Sequence, residues 1–465
     1  MKFYAFIIIC FVGIGTVEAQ DAFGMSNSNY SPATTVQHNP SSIVDSEVMA
    51  DIRVLGINAF LHTNYAYLAA EEFSYFRDVL LNQTIPNAHF NSTRSDYSLF
   101  SSVEAQYFSG TFQYKEHGFG LNSRLRTFGD IRNVPEIFAN AIDIPQIKGE
   151  RTIGGNLINR DLSAKDVNLT VLSYGEVGIS YANAIQHFDR NLVVVGGTIK
   201  HLTGIAAGGV HIEDFNYRID TSGTFSYSNL NATAVSADGF LGGSGWGLDI
   251  GVTYKRMLDN VTNYNPFRRE AGCRIYDYKW KVGASLIDLG YVKFKKNSSK
   301  TTAINASGSI ADLSNFSVSA DPEGFLTNTL QVPDSVVSTD TSFSVLVPAA
   351  FVFQYDYNLE KYNLFFSVEF MQGLTPNSQF GIKRPQVLIF TPRYETRYFE
   401  VAMPFGMYNL QEVRSGIMVR IGPVTIGTDK LGTLFSVTDV TGFDLYLQCA
   451  FKILQQKKCG KKRVW

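Results

Sequence analysis

The chain has 465 residues, with 40 Lys+Arg against 42 Asp+Glu and a formal net charge of -2. Charged residues make up 18% and apolar residues 45%, and aromatics reach 13% with Phe 35 and Tyr 24; an average soluble domain carries ~25% charge. The balance excludes a generally basic nucleic-acid binder, and the aromatic content excludes a wholly disordered or collagen-like chain.

At the start, Lys2 precedes an apolar run from Phe3 to Gly13, and Val17 and Ala19 fit small-residue cleavage. This is the shape of a secretory signal peptide. Residues 1–19 are therefore expected to leave, with the mature chain beginning at Gln20. Beyond that point no stretch reaches the ~18 apolar residues of a spanning helix. The chain reads as a secreted soluble protein or as a closed barrel, because helices and closed barrels are the structures that satisfy the backbone in lipid. Cys273, Cys449 and Cys459 form no disulfide framework by number or spacing.

From there the dominant period is two. Phe119, Leu121, Ser123, Leu125 and Thr127 alternate with Gly120, Asn122, Arg124 and Arg126. Leu248, Ile250, Val252 and Tyr254 alternate with Asp249, Gly251, Thr253 and Lys255. Phe366, Val368 and Phe370 oppose Ser367 and Glu369; Ile417, Val419 and Ile421 oppose Met418 and Arg420. Phe443 to Ile453 is the last such run. The runs match the ~9–11 residues of a tilted membrane strand. Aromatics at their ends, Phe128, Tyr254, Phe370 and Tyr398, suit an interfacial girdle. These features favour a barrel over a soluble β-sandwich adhesin, whose strands are shorter.

Tight turns are expected near 187–191, 358–361 and Pro423. Long polar connections are expected at 74–96, 213–246, 257–273 and 296–343, all on the opposite side and outside the cell. Pro135–Ile144 reads as a short helix with Pro in its first turn. Residues 454–465 form a basic tail, which reads as solvated.

No catalytic, cofactor or metal motif is found. The 7 histidines lack the spacing of a zinc protease, and Gly242-Gly-Ser-Gly-Trp246 fails as a nucleophile elbow. The Gly pairs at 196–197, 208–209 and 242–243 read as bends or close approaches in a curved sheet. Polar residues on inward faces are the site candidates: Arg124, Arg126, Asp249, Lys255, Glu369, Arg393, Glu395, Arg397 and Arg420. Turned toward lipid, such charges would cost ~2–4 kcal/mol each near the midplane.

Taken in order, several segments resemble an uncharacterised outer-membrane barrel family of Gram-negative bacteria with type IX secretion, within the FadL/PorV-like group. They include His38-Asn-Pro-Ser-Ser-Ile-Val44, Gly175-Glu-Val-Gly-Ile-Ser-Tyr-Ala182, Val282 to Tyr291 and Val419 to Thr428. The resemblance implies an antiparallel transmembrane β-barrel of roughly 14 strands over 49–453. The N-terminal segment, 20–48, is expected to tuck inward or along the periplasmic mouth, with Asn39 and Pro40 as its turn. An outer-membrane or periplasmic protein is the expected partner, and passive transport or a structural role without catalysis is the expected function; the resemblance itself implies outer-membrane lipid as the surroundings. It names no ligand.

Overall fold

The computed structural model describes residues 22–44, 46–73, 88–91, 96–136, 158–222, 224–258, 278–310, 322–333, 336–377, 380–435 and 437–454. The signal-peptide expectation and the basic tail after Leu454 lie outside these residues. So does nearly all of the expected helix: Pro135 is the last residue of a strand, and 137–157 are not described.

Fourteen antiparallel staves close into one barrel among the described residues. They are β1 (Val48–Thr63), β2 (Asp96–Tyr114), β3 (His117–Pro135), β4 (Asp161–Phe188), β5 (Asn191–Ile219), β6 (Phe225–Met257) and β7 (Tyr278–Phe294). Then come β8 (Phe343–Leu346 with Ala350–Leu359), β9 (Leu364–Gly373), β10 (Val387–Glu395) and β11 (Phe399–Ala402 with Phe405–Tyr408). Last are β12 (Glu412–Ser415 with Ile417–Ile421), β13 (Val424–Thr428) and β14 (Gly442–Leu454). Each stave pairs with the next, and Val48 opposite Leu454 joins the ends. A single closed sheet replaces the two-sheet sandwich considered from sequence. Breaks in β8, β11 and β12 fall at Pro348, Pro404 and Gly416. Proline has no N–H for the ladder.

One rim carries the tight connections: Lys115-Glu116, Asp189-Arg190, the 360–363 turn and Gly422-Pro423. The segment between Met257 and Tyr278 also starts and ends at this turn rim, where Met257 N–H donates to the Arg190 carbonyl. The expectation that every long connection lies at the other rim is therefore corrected.

The second correction concerns 213–246. β5 runs on to Ile219, a short turn follows, and β6 starts at Phe225. Asp220 makes that turn by accepting from the backbone N–H groups of Ser222 and Thr224, at 2.8 and 2.9 Å. The Ser222 hydroxyl, with these bonds, holds the carboxyl below its ordinary range. Likewise 296–343 is no simple loop: Ser298–Ile310 and Val337–Asp340 are strands. Ser298–Ile310 pairs with the far half of β6. β4, β5 and β6 have 28, 29 and 33 residues, about three times the ~9–11 of a membrane crossing.

The outward face changes character along these staves. In the turn half it is apolar. Leu121, Ile179, Ile199 and Leu248 sit side by side across four strands, all exposed. In the far half the exposed positions are Asp161, Ser163 and Lys165 on β4 and Glu213, Asn216 and Arg218 on β5. Aromatics edge the apolar part. Trp246 faces Tyr291 across the strand pair, eight positions from Tyr254 on β6, or about 27 Å at ~3.4 Å per residue. Phe128 is no girdle residue. It points inward, 2% exposed, with its ring centroid 6.2 Å from that of Tyr174.

The far half has its own apolar core, where Phe215, Tyr217, Phe225 and Tyr227 pack against Phe325, Leu326 and Leu330.

Candidate functional site: a charged interior and its two inserted segments

Residues 22–44 lie inside the turn half. Asn39 caps the 3-10 turn Pro40–Ile43 by accepting from the Ser41 N–H, and Pro40 stands at the turn's first position, where no N–H is needed. Asn39 Nδ2 donates to the Val252 carbonyl at 3.2 Å, and Ser41 Oγ lies 2.7 Å from Thr253 Oγ1. Two glycines of the wall lie directly beneath the turn. A Cβ on Gly251 would stand 2.2 Å from Asn39 Oδ1, and one on Gly196 would stand 2.6 Å from the Pro40 carbonyl carbon. Close backbone approach explains both glycines.

Charged side chains of the opposite wall hold the rest of this segment. His38 Nδ1 lies 2.9 Å from Glu369 Oε1. The Asn29 N–H donates to Glu395 at 3.0 Å, and the Ser28 hydroxyl donates to Glu400 at 2.9 Å. Arg393 bridges Glu395 and Asp356 at 2.8 and 3.3 Å, and Arg420 pairs with Glu400 at 2.9 Å. Arg53 donates to Thr34 Oγ1. Lys255 and Lys281 stand opposite each other on β6 and β7. They line a small cleft beside Ser26–Asn29, Ser42 and Ser46.

Above the Asn39 turn lies a second layer. Arg124 and Arg126 on β3 face Glu176 and Glu104 directly across the strand pairs. Arg124 reaches Glu176 at 2.7 Å, and Arg126 reaches Glu104 at 2.8 Å and Asp288 at 3.0 Å. Lys200 binds Asp249 at 2.7 Å and Asp288 at 2.6 Å. Asp288 enters through a β-bulge, with φ 54° and its N–H donating to Asp249 at 2.7 Å. Bulges re-aim side chains in this way.

The eighth charge comes from the far side. Residues 380–386, which lead into β10, fold inward. Arg384 Nη2 meets Asp288 at 2.7 Å, and its Nε donates to the Pro348 carbonyl at 2.9 Å. The layer then holds Glu104, Glu176, Asp249 and Asp288 against Arg124, Arg126, Lys200 and Arg384, all buried. Four charges of each sign cancel. This arrangement can bind and order charge. Among the described residues no group of three metal-ligating side chains occurs.

The candidates read from sequence thus fall into both layers. Arg124, Arg126 and Asp249 join the upper one. Glu369, Arg393, Glu395 and Arg420 hold the inserted N-terminal segment, and Lys255 lines the cleft. Arg397 is the exception. β10 ends at Glu395, so Arg397 lies exposed in the turn, its cation 5.3 Å from the Tyr398 ring. Sequence reasoning missed Glu104, Glu176, Lys200, Asp288 and Arg384. Glu176 and Lys200 follow the two-residue alternation and were legible by that signal. Asp288 and Arg384 were not, since a bulge and an irregular segment place them.

No curated protein matches the chain. Among solved structures it is similar to the toluene transporter TodX of Pseudomonas putida, with 9% identity over 94% of this chain and 98% of that one and a TM-score of 0.40. A FadL homologue of Pseudomonas aeruginosa gives the same identity, coverage and TM-score. Residues 40–429 match the family of unknown function DUF5723, and the chain belongs to it.

Proposed function

We propose that this protein is an outer-membrane β-barrel that lets a small or hydrophobic solute pass without chemistry, through an interior that its own N-terminal segment obstructs at rest. The observation that carries the reading is the outward apolar belt around a charged interior. An apolar band ~25 Å tall, flanked by aromatics over a polar lumen, is the pattern of a bilayer-spanning barrel. In this reading the far halves of β4, β5 and β6 stand beyond the membrane, on the cell exterior. The seat of Asn39 and Pro40 on Gly251 and Gly196 supports a plug role for residues 22–44. A structural role in an outer-membrane assembly of a type IX secretion organism is the second reading. The far-half extension with its separate core favours it, since it offers a rigid surface to a protein partner.

The experiment is conductance in planar bilayers. Deleting residues 22–46 should raise single-channel conductance several-fold over the full mature chain. A folded deletion variant with unchanged conductance rejects the plug. Recovery of native protein in a soluble fraction without detergent rejects the membrane reading itself.

A further inference from the structure

Lys255 on β6 and Lys281 on β7 are partners across their strand pair. Like charges directly opposite each other destabilise a sheet. Their ammonium groups stand 5.7 and 5.4 Å from the centroid of the same ring, Tyr278. Lys281 reaches Asp356 at 3.4 Å, but Arg393 draws on the same carboxylate oxygen at 3.3 Å, and the Tyr278 hydroxyl donates to it at 2.6 Å. One oxygen thus serves three donors.

Between these lysines and the inserted N-terminal segment lies a cleft of about 40 Å³, where one water needs ~10–15 Å³. Its lining holds both lysines and, among the described residues, no acid. Lys281 also donates to the Asn27 carbonyl and to Asn29 Oδ1, at 3.2 and 3.4 Å. Both bonds are longer than the ~2.7–2.9 Å of an ammonium bound to an anion, so a charged acceptor in the cleft would compete well for the same donors. On the segment side, Ser42 Oγ lies 2.9 Å from Thr35 Oγ1. That contact uses one of the two hydroxyl protons, and the other can turn to the cleft. The cleft lies near the turn rim, since β6 ends at Met257, just beyond Lys255, and β7 begins at Tyr278, just before Lys281.

We propose that this cleft binds a small oxyanion, a phosphate or carboxylate group, held by Lys255 and Lys281 on the wall and by the Ser42 hydroxyl on the inserted segment. The anion relieves the repulsion between the two lysines and ties β6 and β7 to the segment. The tie on the segment rests on the plug reading above, whereas the binding itself does not.

Titration calorimetry of the full mature chain in detergent reads the binding directly. Inorganic phosphate should bind saturably, and sodium chloride at equal ionic strength should not. Acetate, titrated in parallel, identifies a carboxylate as the preferred group if it binds more tightly than phosphate. Lys255→Gln and Lys281→Gln should each weaken binding roughly tenfold or more, as expected for losing a charge-assisted hydrogen bond. Lys255→Arg, which keeps the cation, should retain it. Deleting residues 22–46 removes the Ser42 side and should weaken binding as well. No saturable binding of either anion by the folded chain overturns the proposal. So does full affinity in a folded chain with both lysines changed to Gln. Should the lysine variants fail to fold, Ser42→Ala carries the test: a several-fold loss is expected, and unchanged affinity overturns the assignment. Because binding requires no conducting pore, a negative result here is separable from a deletion variant that fails to conduct.

Discussion

Arg126 shows how much one inward side chain holds. It is fully buried and within ion-pair distance of Glu104, Glu176 and Asp288, and its cation lies 4.8 Å from the Phe128 ring. Arg126→Met leaves three carboxylates short of a partner. Breaking a buried pair from one side costs ~3–5 kcal/mol, so the urea midpoint of unfolding in vesicles should fall. Adding Glu104→Gln restores the charge balance and should recover part of the loss. A double variant no better than the single one would mean that packing, not charge, sets the cost. At this scale sequence went far: Arg124 and Arg126 stand two apart on the polar side of an alternating run, and a strand offers them one face. Alternation could not say which strand would face them, because register belongs to pairing rather than to pattern. Asp288 escaped for a different reason. Its bulge shifts the period, so Leu286, Ile287, Asp288 and Leu289 show no clean alternation.

Among elements, the far halves of β5 and β6 were the hardest to read. Their outward face is Ser, Asn and charge, which lowers the apolar content to that of a loop, while Phe215, Tyr217, Phe225 and Tyr227 carry the inward period. Tyr227 anchors this region through its ring and through its hydroxyl, which donates to the Leu330 carbonyl at 2.8 Å. Tyr227→Ala should cost about 3–5 kcal/mol locally, as large aromatic truncations do. Limited proteolysis should then cut 322–333 faster, with the unfolding midpoint of the barrel unchanged. If that midpoint drops as far as the protease protection does, extension and barrel unfold as one unit. The inserted residues 380–386 left no sequence signal, because their contacts depend on Leu346, Asp130 and Asp288, which three other elements supply.

For the whole molecule, the closed sheet, its 14 staves and the apolar outward face were legible. The closed sheet and the apolar face follow from long alternating runs that leave no open edge, whereas the number of staves came with the family resemblance. The membrane reading makes a positional claim. Ile199→Arg, on the outward face of β5, should cost ~2–4 kcal/mol in lipid vesicles if it lies near the midplane. Ser163→Arg, on the far half of β4, should cost nothing measurable. Equal effects would remove the distinction between the two zones. The joining of Val48 to Leu454 has a temporal consequence. The Phe23 N–H donates to Asp429 at 3.2 Å, across 406 positions of sequence, and Ser28 and Asn29 bind acids on β10 and β11. The first part of the segment to leave the ribosome thus waits for the last strands before it has a place to sit. Until then its apolar side chains Phe23, Met25 and Tyr30, buried in the finished barrel, have no core to pack into. Its docking is then the closing event of biogenesis rather than the opening one.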